Sequence, residues 1–203
     1  PRPAAAPNQR NGASGYQDNA AFFPVTQDGP LSSITIDLDM TATPARQTNR
    51  NSSIVVALLD ANTWGSSGVG PDLFTNAALT NSLGIALDVN NNYGGDGSSN
   101  HIAIRGSGGL ISQQFVTPAN TDLGSGTPVH ATITVTQVDG GANVTVVLTP
   151  QGGTAFTAVS NLFVAGYELN VLRVAIGGQS YYSSTAQTID NIATQAVAGT
   201  EHA

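Results

Sequence analysis

Ile34, Ile36, Leu38 and Met40 alternate with Thr35, Asp37 and Asp39. A period of two puts the apolar side chains on one face and predicts a half-buried strand. Ile54 to Leu59 is an unbroken apolar run, short enough for a strand buried on both faces. The same β signature returns at Ile85–Val89, His101–Ile104, Thr132–Thr136, Asn143–Leu148, Arg173–Ile176 and Thr188–Ile192. Asp139-Gly140-Gly141 separates two alternating runs and predicts a hairpin over residues 131–149. No segment carries a sustained helical period; the best candidate is a short turn near Asn161–Tyr167.

Many strands divided by Gly-rich turns predict an all-β, antiparallel sandwich or barrel. Residues 1–19, rich in Pro, Ala, Asn and Gly without periodicity, read as an extended lead-in. Residues 20–195 read as a single β-sandwich domain and 196–203 as a C-terminal tail, with no internal repeat and no linker. Two long irregular stretches interrupt the strands, Asp60–Leu83 and Asn90–Asn100, joined by the short strand Gly84–Val89. Long structureless loops in a compact domain are usually either functional or disordered.

Composition narrows the partners. The 203 residues hold six basic side chains, all arginine, against thirteen acidic ones, for a net charge of −7. Nucleic acid and anionic membrane both require a basic face, so neither is expected. Cysteine is absent, which removes disulfides and thiolate metal sites. No run of about 18 apolar residues occurs, so no membrane insertion is expected. The chain opens Pro-Arg-Pro without methionine and carries no signal peptide, which reads as a processed or excised fragment.

The second irregular stretch has a composition suited to a metal. From Asp88 to His101 it reads Asp-Val-Asn-Asn-Asn-Tyr-Gly-Gly-Asp-Gly-Ser-Ser-Asn-His. Two carboxylates and several amide carbonyls are spaced by glycines that allow sharp turns. Calcium is a hard cation that takes six to eight oxygen ligands from such groups. The spacing is not that of an EF-hand. An Asx-rich turn without metal is the competing reading, because Asn and Asp also favour turns through local hydrogen bonds.

Gly84-Ile-Ala-Leu-Asp-Val-Asn-Asn-Asn, followed by Asp96-Gly-Ser-Ser-Asn-His-Ile-Ala-Ile104, resembles the metal loop of the L-type (legume and bacterial) lectins. Weaker likeness extends over about residues 19–195, through Asn19–Pro24, Ser33–Leu38, Val129–Val135, Arg173–Gln179 and Thr188–Ile192. The resemblance implies a concanavalin A-like jelly roll. It implies one Ca2+ held by the carboxylates of Asp88 and Asp96, the side-chain carbonyl of Asn92 and the backbone carbonyl of Asn90, with Asn92 also reaching the sugar. Ala86 stands where the family has the glutamate of a second, transition-metal site, so no second metal is expected and His101 is assigned a structural role. The family's Ala-Asp-Gly triplet, whose Asp binds sugar, corresponds to Asn51-Ser52-Ser53, so Ser52 takes the place of the main sugar carboxylate. Asn51, Asp60 or Asp72 are left as candidates to rebuild that site.

Further ligand contacts are expected from Trp64, since aromatic faces stack on sugar rings, and from Gly68 and Gly70 through backbone N–H groups. Gln179, Tyr181 and Tyr182 lie in the loop that helps frame the sugar in the family. Glycosidases need two carboxylates about 5–9 Å apart; the only glutamates are Glu168 and Glu201, outside any such motif, and no enzymatic activity is expected. The expected function is calcium-dependent, non-catalytic glycan binding by a secreted or cell-surface domain. The alternative is a structural or adhesive subunit of an extracellular assembly, with protein partners and no active sugar site.

Overall fold

The computed structural model describes residues 8–11, 16–25, 29–43, 52–73, 79–89, 100–116, 120–181 and 186–199. Its strands in chain order are β1 (Asn8–Asn11), β2 (Tyr16–Val25), β3 (Leu31–Ala42), β4 (Ser52–Asp60), β5 (Leu83–Asp88), β6 (His101–Gly106) and β7 (Gly109–Phe115). They continue as β8 (Val129–Val138), β9 (Gly141–Pro150), β10 (Phe156–Ala165), β11 (Leu172–Tyr181) and β12 (Gln187–Ala198). One helical turn, α1 (Ala61–Trp64), follows β4. Among the described residues no helix is long and apolar enough to cross a membrane.

Two antiparallel sheets face each other. The front sheet has the order β1-β2-β11-β4-β5-β6-β7, and the back sheet β10-β9-β8-β3-β12. This is the all-β antiparallel sandwich expected from the alternation, in jelly-roll form. Ile34, Ile36, Leu38 and Met40 of β3 point inward, as do Ile133 and Val135 of β8 and Val144, Val146 and Leu148 of β9. They meet Ile54, Val56, Leu58, Ile85, Leu87, Ile102, Ile104 and Val174 of the front sheet. Each such side chain removed from water contributes roughly 1.5–3 kcal/mol, which makes this layer the main source of stability.

β4 is buried along its whole length, because the front sheet is covered on both sides. On its outer side Val55, Ala57 and Leu59 pack with Ala86, Ala103, Ala175, Leu73 and Leu79. The expected hairpin is β8–β9, with Val138 opposite Gly141 and Gly140 at φ 73°.

Several elements differ from the expectation. The turn placed near Asn161–Tyr167 is largely strand: β10 runs to Ala165, and Gly166 makes the turn. Two register shifts and Asn161 at φ 46° break the alternation that would have announced it. β1 and the first residues of β2 occupy part of the expected lead-in, and β12 continues to Ala198. Backbone pairing of β2 with β11 needs no apolar pattern. α1 is started by Asp60, whose Oδ1 accepts from the Thr63 N–H at 2.6 Å.

Candidate functional site

β5 delivers Asp88 to one end of the front sheet, and β6 begins there with His101. Register aligns Gln179, Ser53, Asp88 and His101 in one row across β11, β4, β5 and β6. Directly opposed residues share a face, and Ala86 and Ala103, two residues away, lie on the outer side of the sheet. The row therefore faces outward. The neighbouring row, Gly177-Val55-Ala86-Ala103, is small and apolar and offers no metal-ligating side chain.

Asp88 and His101 are both buried. His101 Nε2 lies 3.1 Å from Asp88 Oδ2. The contact lacks the alignment of a hydrogen bond, and Asp88 Oδ2 accepts none. A buried carboxylate oxygen without a donor is costly unless a positive charge compensates it.

Both ends of the segment between these residues are pinned. The Val89 N–H donates to the Ser52 carbonyl at 3.0 Å. Asn100 is buried and binds the facing loop three ways: its Nδ2 donates to the Val116 carbonyl at 2.8 Å and the Thr121 carbonyl at 2.7 Å, and its Oδ1 accepts from Leu123 N–H at 3.0 Å. Asn100 stands in the Asn-His-Ile stretch of the motif, but the sequence pattern assigned it no role. Asn90, Asn92 and Asp96, expected metal ligands, lie outside the described residues, as do Asn51 and Tyr182. Tyr181 ends β11 opposite Tyr16, on the same end of the sheet; its side chain also lies outside the described residues.

Ser52 does not stand where the resemblance placed a sugar contact. It shares the inward face with Ile54 and is 1% exposed. Its Oγ accepts from Gln187 Nε2 at 2.7 Å. The same amide reaches the carbonyls of Ser53 at 3.2 Å and Gln179 at 3.0 Å. A Cβ on Gly178 would collide with Gln187 Oε1, so the glycine makes room for this side chain.

Trp64, Gly68 and Gly70 are not brought to Asp88 either. The loops before and after β5 leave opposite ends of that strand, roughly 20 Å apart at about 3.3 Å per residue. Trp64 Nε1 donates to the Thr80 carbonyl and Ser82 Oγ, each at 3.1 Å. Gly70 sits where a Cβ would strike the Phe22 ring. The anchor of this loop is Arg173, buried on β11. Its Nε donates to Phe23 O at 3.1 Å, one terminal nitrogen to Trp64 O and Gly65 O at 3.2 Å each, and the other to Gly68 O at 2.6 Å. Burial pushes the guanidinium below its ordinary pKa. Asp60 caps α1 at this same far end and is thereby removed from any sugar site at Asp88.

A second polar cluster lies on the outer face of the back sheet. His130 Nδ1 is 2.8 Å from Asp39 Oδ1, Asn191 Nδ2 donates to Asp39 Oδ2 at 2.7 Å, and Thr132 Oγ1 donates to Asp37 Oδ1 at 2.6 Å. The Asn191 hydrogen bond, then that of His130, hold the Asp39 carboxyl below its usual range. This cluster ties β12, β3 and β8 together.

The fold just described is the concanavalin A-like jelly roll of the L-type lectins. Solved structures with this fold include lectin UEA-II complexed with galactose, at TM-score 0.61 and 13% identity over 94% of this chain and 84% of that one. Lectin I from Ulex europaeus, complexed with the methyl glycoside of α-L-fucose, superposes at TM-score 0.59 with 12% identity over 95% and 85%. Lectin I-B4 from Griffonia simplicifolia, in a metal-free form, gives TM-score 0.58 and 14% identity over 91% and 87%. No family model matches the sequence, and no curated protein does.

Proposed function

We propose that this chain is a non-catalytic glycan-binding domain whose binding loop, Asp88 to His101, is ordered by one calcium ion. The observation that carries the reading is the buried Asp88 carboxylate, with Oδ2 accepting no hydrogen bond at the point where the strand enters the Asn/Asp/Gly loop. The donor set suits a hard cation: carboxylates of Asp88 and Asp96, the side-chain carbonyl of Asn92 and the backbone carbonyl of Asn90. When bound, calcium supplies the positive charge that offsets both carboxylates and fixes the loop's oxygen donors. Ala86 beside Asp88, paired with Ala103, supports a single ion, with His101 as a structural neighbour of Asp88.

Glycan binding is supported by the lectins that share the fold, two of which hold galactose and a fucoside. Asn92, Gln179, Tyr181 and Tyr182 are the proposed contacts, since the described part of this group lies at the Asp88 end. A secreted or cell-surface location accompanies this reading. One observation favours the alternative of an assembly or adhesion subunit: Ser52, in place of the family's sugar carboxylate, faces inward and is held by Gln187.

Calcium titration against thermal unfolding tests the metal. At a hundredfold excess over Kd, binding contributes about 2.7 kcal/mol, which raises Tm by roughly 5–10 °C in a domain of this size. A Tm that is the same in calcium and in chelator would falsify the calcium reading.

A further inference from the structure

Gln187 joins the two sheets at the Asp88 end. It opens β12 of the back sheet, and its amide crosses to β4 and β11 of the front sheet. All three of its acceptors belong to the residues beside Asp88: Ser52 Oγ, the Ser53 carbonyl and the Gln179 carbonyl. Ser52 in turn accepts the Val89 N–H through its carbonyl, and Ser53 is the cross-strand partner of Asp88. An unbroken path of contacts thus runs from the start of β12, through Ser52, to the first residue after Asp88. The apolar contacts of β12 begin only at Ile189, so Gln187 contributes its amide at this end rather than core area.

We propose that Gln187 is a positioning residue for the Asp88–His101 loop, fixing the Ser52–Ser53 strand end on which Asp88 and Val89 rest. The proposal builds on the reading of that loop as a calcium site. It assigns Gln187 an action on ion affinity through Ser52 and Ser53, with no contact to the ion. A hydroxyl at this inward position accepts the amide, whereas a carboxylate there would bury a charge.

The test is calorimetric titration of calcium into the full chain, with thermal unfolding measured in parallel. Gln187→Met keeps the length and apolar stem and removes the amide. It should weaken calcium roughly tenfold, the scale of one lost hydrogen bond. Thr43→Ala is the control: Thr43 Oγ1 accepts the Ala186 N–H at 2.9 Å and anchors the start of β12 without touching Ser52. It should lower Tm and leave calcium Kd unchanged. In a Ser52→Ala background the Gln187→Met effect should shrink, because the two residues act along one path. Calcium Kd unchanged in Gln187→Met, or shifted equally by Thr43→Ala, overturns the positioning role; so does full additivity with Ser52→Ala. Absence of calcium uptake by the unsubstituted chain overturns the calcium reading, and the coupling with it.

Discussion

Arg173→Met isolates the contact that anchors the far loop. Arg173 is 1% exposed and donates to four carbonyls, those of Phe23, Trp64, Gly65 and Gly68. Methionine keeps much of the apolar stem but supplies no donor and no cation over the Phe22 ring. Each charge-assisted bond is worth roughly 1.5–3 kcal/mol, a gross of about 6–12 kcal/mol for four. The guanidinium costs several kcal/mol to bury, and that cost disappears in the variant. The net loss is about 3–5 kcal/mol, the range typical when one partner of a buried charged network is removed. Lysine should fall between, because a single ammonium cannot span acceptors that the planar fork reaches. Urea unfolding followed by fluorescence measures both stability and locality, since Trp64 is the only tryptophan. Its carbonyl is one of the four acceptors, and its side chain packs against the outer apolar cluster of the front sheet. The native emission of Arg173→Met should shift to the red as this loop loosens. A loss under about 1 kcal/mol with unchanged emission would refute the reasoning, because isolated surface pairs are worth no more than that.

Three further outcomes are expected. Ser52→Asp should not create a sugar site; it should destabilise the fold by roughly 2–4 kcal/mol, because the carboxylate would be buried toward Gln187, and a variant with gained glycan affinity at unchanged Tm contradicts the inward orientation. His101→Leu removes the imidazole that lies 3.1 Å from the buried Asp88 carboxylate and should lower the urea midpoint in chelator, with calcium narrowing the difference from the unsubstituted chain; midpoints that are identical in chelator would count against a structural role for His101. Asp39 is held below its ordinary value of 3.8 by Asn191 and His130, so its contribution is fully present above about pH 4 and is lost as pH falls through the lowered folded value. The site is solvent-exposed, so the contribution stays under about 1 kcal/mol; Asn191→Ala should reduce that acid-side slope, and identical acid-unfolding curves would count against the clamp.

The back sheet was legible because β3, β8 and β9 face water on one side, which prints a clean alternation. The apolar run of β4 likewise reported burial on both faces. β10 was lost because bulges and a left-handed Asn161 reset the period within the strand. The inward face of Ser52 could have been read from its parity with Ile54, but the likeness to a sugar-binding triplet outweighed the simpler argument. Loops flanking one strand must leave from its opposite ends, so the separation of Trp64 from Asp88 was also implicit in β5. Arg173 and Asn100 were not readable: their partners are backbone groups, many of them distant in sequence, and only the fold brings these together.

Glycan-array binding of the full chain, in calcium and then in chelator, with Asp88→Asn alongside, tests the central claim most directly. A calcium-ordered binding loop predicts glycan retention in calcium only, abolished in Asp88→Asn while the variant still unfolds cooperatively. Retention that survives both the chelator and the substitution would contradict it.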